Sequence, residues 1–231
     1  MPEKKKRRGK HQPKGVLILH EDRDIIVVDK APGFLTMGTS REKERTAYFS
    51  LTDYVRKGNP KSRERIFIVH RLDREVSGIL VFARTDAAKH TLQEQWPIVE
   101  KHYLALVHGS PPTPEGEFSS YLLENGVHSV QSTPHPNKGR LSKTGYKVLW
   151  HSQGVSLLDI NLVTGRKHQI RVHLSENNLP ILGDKKYGAK NDGERRLALH
   201  AKSIAFEHPY TSKPCFFETR IPHLFARYSA P

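Results

Sequence analysis

The stretch Ile68-Val69-His70-Arg71-Leu72-Asp73-Arg74-Glu75-Val76-Ser77-Gly78-Ile79-Leu80-Val81-Phe82, IVHRLDREVSGILVF, decides the reading of the fold. Two apolar runs, residues 66–69 and 79–83, read as buried strands, and a short polar link joins them. The link sets one carboxylate, Asp73, between Arg71 and Arg74. Turns favour Asp in any case, and an Arg–Asp pair on a surface turn contributes little, so the ordinary reading is a solvated turn. The apolar flanks add weight to a functional reading, because loops fixed on a rigid scaffold often carry catalytic groups.

Outward from this stretch the chain alternates short strands and turns. Residues 16–19 and 25–28 flank the polar turn His20-Glu21-Asp22-Arg23-Asp24, a hairpin signal, and Ala31-Pro32-Gly33 ends the second strand. Ala47, Leu51, Tyr54 and Val55 recur at helical spacing ahead of Gly58-Asn59-Pro60, which predicts a helix over 46–57. A second helix starts near Thr85 with Ala88, Leu92 and Trp96 on its buried face, and residues 103–107 return to strand. Residues 111–140 are richer in Pro, Gly and Ser, with candidate strands at 117–122 and 127–131. Residues 146–150 and 155–163 flank Gly154 as a further hairpin, and Thr164 is placed to cap a helix through Ile170 and Leu174 to about residue 178. A late strand covers 197–206. Consecutive hairpins with a few helices predict an α+β domain built on a large, mostly antiparallel sheet. The expected organisation is a basic arm over residues 1–14 and one domain over 15–231.

With 231 residues the chain is long enough to bury a substantial core unaided. The single cysteine, Cys215, excludes an internal disulfide framework and a thiolate zinc cluster, which suits a reducing, cytoplasmic setting. No apolar run approaches the roughly 20 residues that span a bilayer. The formal charge of +14 points to a polyanionic partner. Residues 1–14 hold seven Lys or Arg against Glu3, a net +6, so the remaining +8 lies in the body of the protein. The arm alone reads as a solvated tail, and the charge of the body strengthens the nucleic-acid reading.

His70-Arg71-Leu72-Asp73, followed by Ser77-Gly78 and an apolar strand, resembles the signature of the RluA-type pseudouridine synthases. Further stretches fit the same family in the same order. They are Val27-Val28-Asp29-Lys30-Ala31-Pro32-Gly33, the run KHYLALV over 101–107, the run TGRKHQIRVHL over 164–174, Leu182-Gly183-Asp184-Lys185-Lys186-Tyr187-Gly188 and Leu197-Ala198-Leu199-His200-Ala201. The match spans about residues 16–210. Two departures are visible: Ala31 stands where the family commonly has proline, and Val76-Ser77 where Thr-Ser is commoner. Many members also carry an RNA-binding domain ahead of the catalytic one, where this chain has the basic arm, so the expectation is a catalytic domain alone.

The resemblance implies a pseudouridine synthase fold and isomerisation of uridine to pseudouridine in structured ribosomal or transfer RNA. In that reaction the bond from uracil N1 to ribose C1′ breaks, the base turns, and C5 joins C1′, so no cofactor is needed. The sugar carbon passes through an oxocarbenium-like state that a carboxylate can stabilise or capture. The family assigns that role to Asp73, either attacking C1′ or acting as a base at C2′. Arg171 is then the cation that keeps Asp73 ionised, and Tyr103 lies against the uracil ring. The target base must leave its stack, and the planar guanidinium of Arg71 is suited to prop the gap. His70, Arg74, Arg166, Lys167 and Gln169 complete the expected RNA contacts, with Arg166 and Lys167 in the first turn of the predicted helix, where N–H groups favour phosphate. Target choice falls to the cleft and to loops 36–45, 131–143 and 185–196.

The fourteen histidines carry no paired metal spacing, so no metal is expected. The expected partner is RNA, acted on by a monomer with no membrane attachment and no obligate protein partner. The alternative is an RNA chaperone or ribosome-assembly factor on the same fold, to which an intact Asp73, Tyr103 and Arg171 would be superfluous. A nucleoside hydrolase shares the sugar chemistry and leaves the charge of the body unexplained.

Overall fold

The computed structural model describes residues 13–39, 42–126, 129–188 and 192–229, so nearly all of the expected basic arm lies outside the described residues. The elements are β1 (Val16–Glu21), β2 (Ile25–Lys30), α1 (Ala47–Val55), β3 (Phe67–Ile68), β4 (Ser77–Ala83), α2 (Asp86–Gln95), β5 (Glu100–His108), β6 (Glu115–Glu124), β7 (Val130–Thr133), β8 (Arg140–Ser152), β9 (Val155–Asn161), α3 (Gln169–Glu176), β10 (Leu199–Glu207), β11 (Pro214–Glu218) and α4 (His223–Ser229). The strands form one sheet in the order β1-β2-β4-β10-β5-β9-β8-β6-β7, with β11 added to β10 and β3 to β4. Among the named strands only the β4–β10 pairing is parallel, so the expected α+β class with a mostly antiparallel sheet holds.

Alternation along the strands divides the core between the two faces of the sheet. Val28, Leu80, Phe82 and Ile160 pack with Leu51 of α1 and with Ile170 and Leu174 of α3. Val27 and Val81, the neighbours of Val28 and of Leu80 and Phe82, pack with Ala88 and Leu92 of α2. Gly78 permits the central parallel pairing: its φ is +112° and a Cβ there would lie 2.1 Å from Ala201 O. Thr46 and Thr85 cap α1 and α2 by accepting from Phe49 N and Ala88 N. Pro97 lies in a short 3₁₀ turn over Trp96–Ile98, so Trp96 falls beyond α2 and is half-buried rather than on its core face. No helix among the described residues is long and apolar enough to cross a membrane.

The start of α3 differs from the sequence reading. Its cap position is His168, in the left-handed region at φ 53°, and Thr164 turns its hydroxyl to Gln169 Oε1 at 2.8 Å while accepting from Lys143 N. Arg166 and Lys167 therefore stand in the turn before α3, not in its first turn. β8 is also longer than expected: Ser142 and Thr144 are buried polar residues within it, and Thr144 bonds Gln169 and His173 of α3.

Candidate active site

The link between β3 and β4 is braced from below. Lys30 is fully buried at the end of β2, and its ammonium donates to Ala31 O, Phe34 O and Arg74 O at 3.1, 2.8 and 3.3 Å. Burial pulls the Lys30 ammonium down to about 8, an effect that Glu75 and Asp73 oppose. Thr36 Oγ1 donates to Leu72 O and accepts from Leu72 N, and Gly33 N donates to Arg74 O. Leu72 and Val76 are buried, so Asp73 is presented between two anchored apolar side chains.

Asp73 Oδ2 accepts from Arg171 Nη1 at 3.0 Å. The rest of that guanidinium is clamped by Asp184, with Nε and Nη2 donating to its two oxygens at 2.8 Å each. Asp184 also accepts from Lys186 N and Tyr187 N. Burial works against the charge on Arg171, but the hydrogen bonds and charge of Asp184, then of Asp73, raise it overall. Asp184 shows the reciprocal balance: burial raises its carboxyl, and Arg171 with the two backbone donors brings it below its ordinary value. Asp73 is the exposed end of this chain, with its side chain 26 % exposed against 7 % for Arg171 and 1 % for Asp184.

His168 Nε2 lies 3.7 Å from Asp73 Oδ2, and His168 Nδ1 is 2.7 Å from the Tyr187 hydroxyl, which accepts from Val130 N. Burial lowers the imidazole, and Asp73 opposes that shift. The Tyr187 ring lies under Arg171, 5.2 Å from its guanidinium carbon. Tyr103 is buried on β5, between Ala201 of β10 and Ile160 of β9. Burial, then the charge of Asp73, pushes its hydroxyl up and keeps it a neutral phenol.

Asp73, Tyr103 and Arg171 line one cleft of about 620 Å³ together with His70, Arg71, Arg166, Lys167, His168 and Gln169. Within it the expected contacts separate. Arg71 and Arg166 are exposed, and neither side chain has a hydrogen bond or ion pair among the described residues. Lys167 is paired with Glu124. His70 Nε2 accepts from Val81 N, and its ring stacks on Trp96 at 4.4 Å. Burial and then Lys101 hold that ring neutral. Gln169 uses its whole amide: Oε1 accepts from Thr164 and Arg166 N, and Nε2 donates to Lys143 O and Thr144. Arg74 turns to Glu42 at 2.6 Å, and it is not among the cleft-lining residues.

His168 and Asp184 were quoted in the sequence motifs and given no role there. His168 meets Asp73 from far along the chain, and the pairing of Asp184 with Arg171 joins two separate motifs, so neither contact follows from a local pattern. The grouping of Asp22, Asp24 and His208, whose ligand-type atoms lie within 4.8 Å of one another, closes the β1–β2 turn. Asp22 accepts there from Asp24 N, Ile25 N, His20 and His208.

The family profile described as RNA pseudouridylate synthase matches residues 24–176, which include Asp73, Tyr103 and Arg171. The chain belongs to that family. It is 36 % identical over 207 residues to a ribosomal large subunit pseudouridine synthase C of Vibrio vulnificus, covering 86 % of this chain and 63 % of that protein. It is 32 % identical over 215 residues to an RNA pseudouridine synthase of Mycoplasma pneumoniae, covering 90 % of this chain and 68 % of that one. The chain thus spans about two thirds of the length of these relatives. Among solved structures, human RNA pseudouridylate synthase domain containing 1 superposes with a TM-score of 0.74 at 26 % identity, over 94 % of this chain and 86 % of that one. The domain containing 4 protein superposes with a TM-score of 0.75 at 24 % identity, over 90 % of each chain.

Proposed function

We propose that this chain isomerises uridine to pseudouridine in structured RNA without a cofactor, with Asp73 acting on a flipped-out uridine. The observation that carries the reading is the Asp73–Arg171–Asp184 chain, which ends in a half-exposed carboxylate inside a cleft walled by Tyr103. A buried guanidinium with two anionic partners stays charged, and its hydrogen bond to Asp73 Oδ2 keeps that carboxylate pointed at whatever enters. An ionised carboxylate supports the oxocarbenium-like C1′ as the bond to N1 breaks. The detached uracil turns in place, and after C5 joins C1′ the C5 proton leaves while N1 takes one up. Tyr103, a neutral phenol against the base, and His168, 3.7 Å from Asp73, are the groups positioned to hold or pass that proton.

Ribosomal RNA is the favoured substrate, on the strength of relatives named as large subunit enzymes. Arg71 and Arg166, exposed at the cleft, take the backbone and the gap left by the flipped base. Gln169 and Arg74 act on the protein side, one building the turn before α3 and the other tying the catalytic link to Glu42. The enzyme works as a soluble cytoplasmic monomer, and the arm adds nonspecific affinity.

Nucleoside analysis tests the reading. RNA incubated with the protein and digested to nucleosides should lose uridine and gain pseudouridine mole for mole, with no free uracil. Free uracil would identify a hydrolase, and unchanged total cellular RNA that remains bound would identify a binding protein.

A further inference from the structure

A second cleft, of about 730 Å³, opens beside the catalytic one and shares Ile68 with it. Its floor is Ile66 and Phe67, and its walls are Met37 and the aromatic pair Tyr48 and Phe49 at the start of α1. Phe49 is 46 % exposed and Met37 39 %, so an aromatic ring and a thioether face solvent. No acidic side chain lines this cleft among the described residues. Lys43 and Lys89 do, and the Arg65 guanidinium stands 5.3 Å over the Phe67 ring. Flat apolar faces set among cations match one ligand chemistry well: a nucleobase stacked on the ring while its phosphates meet the lysines.

We propose that this cleft is a second base-binding subsite, which takes an unpaired base of the substrate RNA next to the target uridine. The inference rests on the RNA reading above and adds to it a place where the target is chosen. The wall that carries Met37 is also bonded to the catalytic link. Thr36 holds both backbone groups of Leu72, and Glu42 holds Arg74, the two residues that flank Asp73. A base seated against Met37 and Phe49 therefore steadies the segment that positions Asp73, so correct RNA improves turnover as well as affinity.

The test compares wild type with Phe49→Ala, Phe49→Leu and Phe49→Tyr on transcribed ribosomal RNA carrying tritium at uracil C5, and on total cellular RNA mapped for pseudouridine. Phe49→Leu keeps the bulk and lacks the flat face, which separates stacking from packing if the Ala variant folds poorly. Loss of one stacked base should lower kcat/KM roughly ten-fold in the Ala and Leu variants, with Tyr close to wild type. Equal rates for all four proteins would overturn the subsite. So would a Phe49→Leu variant whose only change is its association state, which would make the cleft a contact between protein chains. A wild type that forms no pseudouridine on either RNA would sink the underlying activity first, and that arm is read independently of the variants.

Discussion

Arg171 stands between two carboxylates of unequal freedom: Asp184 takes two of its nitrogens at 2.8 Å from within the core, and Asp73 takes the third at 3.0 Å from the cleft. The inner pair sets the orientation and the outer one faces the cleft. Removing Asp184 should therefore damage both stability and catalysis. Asp184→Ala leaves a buried guanidinium with a single anionic partner, and breaking a buried pair in this way costs about 3–5 kcal/mol. Denaturant unfolding reads that loss. Single-turnover kinetics on tritiated RNA should show a fall of up to about 100-fold from the misplaced Asp73.

Arg71 is exposed at the cleft mouth and holds nothing else in place among the described residues. Arg71→Ala should leave stability within about 0.5 kcal/mol, as surface changes usually do. Flipping a base costs a few kcal/mol, so turnover on folded RNA should drop roughly ten-fold or more. An unstructured oligonucleotide carrying the same uridine should be spared most of that loss. Equal losses on both substrates would assign Arg71 to plain phosphate binding.

Acid should unfold this protein partly through histidines. Burial, then Arg196 and Lys202, lowers His200 to about 4, and the ring bonds Ser77 on one side and Thr219 on the other. An unfolded histidine takes its proton near 6.5. Between those values the unfolded state binds the extra proton, so the contribution of His200 is complete above about 6.5 and is lost as the pH falls toward 4. The expected slope from this one group is about 1.4 kcal/mol per pH unit, read from urea unfolding across that window. His70, lowered in the same direction, adds to it.

The three residues that meet in the cleft were legible because each lies inside a contiguous motif: Asp73 between two strands, Tyr103 within one, and Arg171 in the run HQIR. The strand after Asp73 was equally plain, since β4 is buried along its whole length, whereas the apolar run before it forms only the two-residue, half-buried β3. What stayed hidden depends on long-range polar pairing. The residues of β8 that face α3 are polar, and Thr144 bonds His173 and Gln169, so the hydrophobic alternation that marks a strand is interrupted there. The cap of α3 was misplaced for a similar reason. Thr164 is a good capping residue, but its hydroxyl closes the preceding turn through Gln169 and Lys143, and His168 takes the cap position with left-handed backbone.

Residues 1–13 include six Lys or Arg, and the proposed function gives them nonspecific affinity rather than site choice. Their deletion should weaken RNA binding at low salt and flatten the dependence of log K on log salt, by roughly 0.7 for each lost phosphate contact on single strands. Pseudouridine mapping should find the same uridine modified. A shifted site would show that the arm also selects the target.

The central claim is that Asp73 carries out the isomerisation, and it is tested most directly with Asp73→Asn, which keeps the shape and removes the charge. Transcribed ribosomal RNA with tritium at uracil C5 releases label to water only when C5 is rejoined to the sugar. The wild type should release it and Asp73→Asn should not, while both bind the RNA with similar affinity. Release by the variant at a rate near that of the wild type would contradict the account, whatever the RNA target proves to be.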